Sequence, residues 1–334
     1  MSWHEIQGHD SIFERFRAAH LRGRLSGSFL FIGDSGIGKK RFAFAIAKGL
    51  LCQGDGGRQL EPCNTCESCQ QFRYNTQLNQ QSAVATHPDL FYISKPVDKS
   101  FIPLELLIGS KERRGEEGFC FDISRTPYLG KRKVAILDDA DYLNSEGANA
   151  ILKTLEEPPP DSLIILIGTS TAKQLPTIRS RCRIIRFTPL QPRTLAAILL
   201  KNEIVATLEQ GLSLAKRSGG SFDLAKELYD EAIDKIRAEL DKQFTSKNIN
   251  SVNIATQINN FIEEAGKEAP ARRKRLKILL NIAIEHFRES LKQSTSYDSM
   301  ITAAERLNHT LEAAEQIDMN ANLPYVVEAW CNKL

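Results

Sequence analysis

The stretch from Phe29 to Lys40 constrains this chain more than any other. Four apolar residues, Phe29-Leu30-Phe31-Ile32, open into Gly33-Asp-Ser-Gly-Ile-Gly38-Lys39-Lys40, and the helix-forming run Arg41-Phe-Ala-Phe-Ala-Ile-Ala-Lys48 follows. Strand, glycine-rich turn and helix in that order are the layout of a phosphate-binding loop. The glycines let successive backbone N–H groups turn toward phosphate, the helix N-terminus adds its dipole, and a lysine reaches the outer phosphates. Gly33, Gly38 and Lys39 stand in those places. The next position calls for a Ser or Thr hydroxyl on Mg²⁺, but Lys40 has no lone pair to offer and repels a cation. The motif is present without its metal ligand.

A second stretch, Lys133-Val-Ala-Ile-Leu-Asp138-Asp139-Ala-Asp141, reads as a buried parallel strand that delivers two acids to the carboxyl edge of a sheet. This is a Walker B pattern. In a working ATPase the first acid organises Mg²⁺ and the next, normally Glu, positions the attacking water. Asp139 is one methylene shorter than that Glu. Leu163 to Gly168 is another core strand, tipped by Thr169, and Arg183-Ile-Ile-Arg-Phe187 is a further short one. The class this predicts is an α/β core built on a parallel sheet of the P-loop type.

At 334 residues there is chain for two or three domains, each with its own core. The longest aliphatic run, Leu163 to Ile167, is too short to span a bilayer, and Met-Ser-Trp-His-Glu lacks a signal layout, so a cytosolic (cytoplasmic) setting with no membrane partner is expected. A net charge of +3 neither demands nor excludes a nucleic-acid partner.

Seven cysteines is an odd count, and four of them cluster: Cys52, then Cys63-Asn-Thr-Cys66-Glu-Ser-Cys69. Two successive C-x-x-C steps, with a fourth thiolate brought back by a Gly-rich hairpin at Gly54 to Gly57, supply the four tetrahedral ligands zinc prefers. A closed set of four thiolates leaves zinc no open position, so the expected role is structural.

Other segments carry less. Trp3, Ile6, Ile12, Phe13 and Phe16 form an apolar stripe beside a solvated basic face. Gln70 to Gln81 and Lys111 to Gly118 look like exposed helix ends and a loop, and His87-Pro88-Asp89 reads as a turn. From Pro189 onward the periodicity is helical. Leu195, Ile198, Leu199, Ile204 and Leu208 suit a small bundle, and Ile254, Ile258, Phe261, Ile262, Leu276, Leu279, Leu280 and Ile284 suit a larger one. The basic run Arg272 to Lys277 reads as a solvated helix start.

Asn149-Ala-Ile-Leu-Lys-Thr-Leu-Glu-Glu-Pro-Pro, Ser180-Arg181-Cys182, the four-cysteine module behind the loop, and Asn320-Ala-Asn322 together resemble the bacterial DNA polymerase III clamp-loader subunits. The resemblance implies an AAA+ core over residues 1–188 with the zinc module inserted at 52–69. A helical lid over 189–230 and an all-α collar for oligomerisation over 231–334 complete the implied layout. It also implies partners: gamma/tau and delta subunits in a hetero-pentamer, the sliding clamp, and primed DNA reached through the complex.

Within that family the motor subunits, gamma or tau, hydrolyse ATP, and the delta-prime type is a rigid member with degenerate motifs. Three departures from the motor pattern point to delta-prime: Lys40 for Ser/Thr, Asp139 for Glu, and Asp223 in Gly219-Gly-Ser-Phe-Asp-Leu-Ala225 where an arginine meets the γ-phosphate. Gly33, Gly38, Lys39, Asp138, Asp139 and Thr169 would then line a vestigial nucleotide site that holds ATP and Mg²⁺ poorly if at all. By match, Arg181 is an arginine finger offered in trans to a neighbour's ATP. Two readings stay open beside this: an ATP-hydrolysing gamma/tau-like motor, and a zinc-dependent DNA-binding module outside replication.

Overall fold

Five strands, β1 (Gly27–Ile32), β2 (Leu90–Ile93), β3 (Lys133–Leu137), β4 (Ser162–Gly168) and β5 (Arg183–Arg186), form one sheet in the order β2-β3-β4-β1-β5. Every pairing is parallel, with Ile32 opposite Gly168 and Leu137 opposite Leu166. That register sets the ends of β1, β4 and β3 side by side, so the turns that follow them share one edge. In this computed structural model the described residues are 7–72, 87–245, 250–266, 268–319 and 321–334. Trp3, Ile6, the Gln-rich run beyond Phe72 and Asn320 lie outside them.

Two compact units divide the chain, Met1–Asp223 and Leu224–Leu334. In the first, the strands alternate faces with period two. Phe29, Phe31, Val134, Ile136, Leu163 and Ile165 pack on α1 (Asp10–Leu21) and α2 (Lys39–Leu51) through Phe16, Phe42 and Phe44. Leu30, Ile32, Ala135, Leu137, Ile164 and Leu166 face the other way, toward Phe119, Ile123, Ile151 and Leu155. With both faces covered the inner strands β1, β3 and β4 read as nearly continuous apolar runs, whereas edge strand β5 keeps exposed arginines at its two ends.

The helices of this unit continue with α3 (Glu67–Gln71), α4 (Leu104–Ile108), α5 (Phe119–Ser124), α6 (Ser145–Glu156) and α7 (Pro176–Arg179), then α8 (Pro192–Lys201) and α9 (Leu208–Arg217). α10 (Phe222–Leu228) begins at its end. The α/β class expected from the motifs is the one found, and the segment between residues 90 and 124, where the sequence suggested only exposed helix ends and a loop at Lys111 to Gly118, also holds a strand and two helices. Leu208, expected inside the small bundle, is exposed. It is the first residue after the N-cap Thr207, and α9 turns Gly211, Leu214 and Ala215 inward instead.

His87 is buried and takes one defined tautomer. Its Nδ1 accepts from the Asp89 N–H at 3.0 Å, so Nε2–H donates to Ser68 Oγ at 2.9 Å. Asp89 in turn accepts from the backbone N–H groups of Tyr128, Leu129 and Gly130. The His-Pro-Asp turn thus joins the cysteine module to the start of β2.

The second unit is all helical: α11 (Glu231–Thr245), α12 (Ser251–Glu263), α13 (Ala269–Gln293), α14 (Tyr297–Asp318) and α15 (Leu323–Cys331). All eight apolar positions singled out from Ile254 to Ile284 are buried. Trp330 closes this core and donates its indole N–H to Thr310 Oγ1 at 3.0 Å. The basic run lies in the first turns of α13, with Lys274 paired to Glu227 and Arg275 to Glu264. Among the described residues no helix is long and apolar enough to cross a membrane.

Candidate functional site

The glycine-rich loop joins β1 to α2 at the carboxyl edge of the sheet. Gly36 and Gly38 have φ of 74° and 98°, which glycine alone adopts without strain. A Cβ on Gly36 would also overlap Ser221 Oγ. Lys39 is buried and turns back on its own loop, donating from Nζ to the carbonyls of Gly33 (2.5 Å) and Asp34. Burial holds its pKa below the ordinary lysine range, although Asp138, Asp141, Asp34 and Asp223 pull it up. Behind the loop, buried His9 donates from Nε2 to the Ile37 carbonyl at 2.7 Å and packs edge-on against Phe187.

Lys40, the misfit in the motif, reaches across to the acids. Its Nζ lies 3.3 Å from Asp138 Oδ2, donates to the Tyr92 hydroxyl at 2.6 Å, and stands 4.7 Å from that ring's centre. Tyr92 donates on to Asp138 Oδ2 at 3.1 Å. Asp139 follows in a left-handed conformation, φ 57° and ψ 36°, and burial together with the Asp138 carboxylate pushes its pKa up to about 6. Where a divalent ion would want a hydroxyl on one side and a free carboxylate on the other, there is an ammonium on a carboxylate already paired. The residues present do not fit Mg²⁺ bridged to a nucleotide.

Thr169 follows directly on the last residue of β4, Gly168. Its backbone N–H and its hydroxyl both donate to the Asp141 carboxylate, which also accepts from Gln174 Nε2. The hydroxyl is thereby committed to an internal partner. From the far side the start of α10 meets the loop, with the Phe222 N–H donating to the Gly36 carbonyl at 2.9 Å. Asp223 comes next, its Cβ against Gly36, so a carboxylate is carried to the glycine-rich loop and adds its charge near Lys39.

Arg181 lies apart from this cluster, just after α7. It is half-exposed, and its Nε donates to Glu156 Oε2 at 2.8 Å, at the C-terminal end of α6.

Cys52, Cys63, Cys66 and Cys69 do converge. Their four Sγ atoms all lie within 4.8 Å of one another, with 4.0 Å separating Cys52 from Cys66 and Cys63 from Cys69. Tetrahedral bonds of about 2.3 Å to zinc imply sulfur pairs about 3.8 Å apart. Backbone N–H groups of Cys63, Cys66 and Cys69 point at the sulfurs of Cys52, Cys63 and Cys66 at 3.3 to 3.4 Å, which favours thiolate. The donor set fits a tetrahedral metal ion. The stretch expected to be a Gly-rich hairpin is a short 3₁₀ turn, Asp55–Gln59, and Gly57 is pressed so close to the Cys52 carbonyl that no side chain fits.

The sequence pointed to the loop, the acids, Thr169, Arg181 and the four cysteines by residue type and spacing, and it did not point to Tyr92, Asp141 and Glu156 as partners of Lys40, Thr169 and Arg181. Asp141 and Glu156 sit inside the motif stretches themselves. Tyr92 was hidden with the rest of β2.

The family model described as DNA polymerase III, delta subunit, matches residues 8–191. DNA polymerase III subunit delta' of Pseudomonas aeruginosa is 33% identical over 224 residues, which is 66% of this chain and 60% of that protein. The Bacillus subtilis delta' subunit is 30% identical over 183 residues, 55% of this chain and 48% of its own. A gamma/tau subunit from Mycobacterium bovis is 29% identical over 225 residues, covering 66% and 35%. The chain spans roughly half to three fifths of the length of the two delta' relatives.

Proposed function

Because this chain belongs to the DNA polymerase III, delta subunit, family, we propose that it is a delta-prime-type subunit of the bacterial clamp loader. In this reading it completes a hetero-pentameric ring with gamma/tau and delta subunits, and the ring loads the sliding clamp on primed DNA in the cytoplasm. It does not turn over ATP itself. Instead Arg181 reaches the ATP of a neighbouring motor subunit and stabilises the charge that develops on the transferred phosphoryl group. Residues 1–188 form the AAA+ core, 189–230 the lid and 231–334 the collar through which subunits associate.

The observation that carries this reading is the pairing of Lys40 with Asp138. A motor subunit needs that carboxylate for its metal, and here it is held by an ammonium. The half-exposed Arg181 supports the second part, since a finger acts outside its own subunit and does not need its own nucleotide. Cys52, Cys63, Cys66 and Cys69 would hold one Zn²⁺ as a structural staple at the C-terminal end of α2. The test is a turnover assay on the purified chain with ATP and Mg²⁺. No phosphate release above background is expected, and Mg²⁺-dependent turnover abolished by Lys39→Ala would establish a motor subunit instead.

A further inference from the structure

We infer that the Lys40 ammonium is a resident cation which occupies the electrostatic place of the divalent ion and makes this core refuse one. The inference rests on the non-hydrolysing reading above and names the residues that enforce it.

Three elements meet at this cation: α2 through Lys40, β3 through Asp138, and β2 through Tyr92. The ammonium has a carboxylate at 3.3 Å, a phenol oxygen at 2.6 Å and an aromatic face at 4.7 Å. The phenol hydrogen points to the same carboxylate oxygen, so the three groups close a ring of contacts. Burial, and after it the Asp138 charge, keeps Tyr92 in its protonated form, which preserves that donor.

Position favours the same conclusion. Lys39 and Lys40 open α2, whose first turn carries no acid. Cations there oppose the helix dipole. A lysine that costs helix stability on its own is retained in a geometry where Asp138 and Tyr92 compensate it. Mg²⁺ demands short bonds in near-octahedral geometry. An ion bound to Asp138 would meet the Lys40 charge at contact range, with twice the repulsion of a monovalent ion. The core therefore carries its own charge balance, and its β2–β3–α2 corner is tied whether or not nucleotide is near.

The experiment uses the full-length chain, with Mn²⁺ plus ADP as the probe, read by the spin-resonance signal of bound Mn²⁺. Wild type is expected to show no ADP-dependent Mn²⁺ binding. Lys40→Thr, which returns a hydroxyl and frees Asp138, is expected to gain it, and to bind ADP at least about tenfold more tightly with Mg²⁺ than without. A folded Lys40→Thr that gains neither overturns the inference. A second arm needs no ligand: a double-mutant cycle of Lys40→Met and Asp138→Asn, read by thermal unfolding. The double variant should melt no lower than the less stable single variant, and strictly additive losses overturn the tie. Mg²⁺-dependent ATP turnover by wild type would defeat the non-hydrolysing reading itself. An inert wild type with an unresponsive Lys40→Thr defeats only the role given to Lys40.

Discussion

Arg181 Nε donates a 2.8 Å hydrogen bond to Glu156 Oε2, and neither side chain is buried. A partly exposed ion pair of this kind is worth up to about 1 kcal/mol. That is enough to keep the guanidinium from wandering and too little to stop it leaving for a triphosphate, which offers it bidentate, charge-assisted bonds. In a reconstituted complex with clamp and primed DNA, Arg181→Ala should silence the one ATP site it serves, leaving the rate of the remaining sites, while the ring still assembles. Glu156→Gln should change ATPase by less than about fivefold, the equivalent of about 1 kcal/mol. Lys39→Ala should matter less to loading than Arg181→Ala, since Lys39 is spent on its own loop's carbonyls. The reverse order would refute the finger.

The cysteine module should hold one zinc per chain by elemental analysis. Its ligands are anchored at the end of α2, where Ser68 donates to the Leu51 carbonyl at 2.7 Å and His20 to that of Gly57 at 2.9 Å. Cys66→Ser, or chelation, should therefore lower the stability of the whole core by on the order of 2 kcal/mol or more, since loss of a metal site is among the large single effects. The turnover rate of a complex that still assembles should be unchanged, because a closed site of four thiolates has no catalytic position.

What the sequence disclosed followed from how local each signal is. The loop from Gly33 to Lys39, the acids after β3 and the cysteines each announce themselves within about ten residues, so their types and spacing were legible. Tyr92 was not, because β2 is only four residues, Leu90–Ile93, and its edge position leaves Phe91 and Tyr92 half-buried, which blurs its pattern. Lys40 shows the other limit. Its chemistry alone said that a metal ligand was missing, but only the parallel register, which sets β2 beside β3, shows where the ammonium went. The closure of Thr169 on Asp141 likewise depends on β4 lying next to β3.

Phe42 carries the junction between loop helix and sheet. It is fully buried, and its ring lies 5.1 to 5.8 Å from those of Phe16, Phe31 and Phe187. Phe42→Ala removes one member of this edge-to-face cluster and should cost about 3–5 kcal/mol. Chemical denaturation should record a shifted midpoint with an unchanged slope.

Asp139 gives the clearest pH signature. Burial, with Asp138 alongside, raises its carboxyl from 3.8 to about 6 in the folded chain. The folded state thus holds that proton more tightly than the unfolded one, and ionising Asp139 costs stability as pH rises through about 6. Asparagine has the same shape, tolerates the left-handed backbone at φ 57°, and has no charge to ionise. At pH 8 Asp139→Asn should be more stable than wild type by about 1–3 kcal/mol, the linkage equivalent of that shift. The advantage should shrink as pH falls through 6 and vanish below 3.8, where the aspartate is protonated in the folded and the unfolded chain alike. Burial holds His9, His20 and His87 below their ordinary range, so all three weaken the fold as pH drops below about 6.5. They do so equally in both proteins and cancel in the difference. Unfolding of the two proteins followed across this range would test it: an advantage constant with pH would mean that Asp139 is not held near 6.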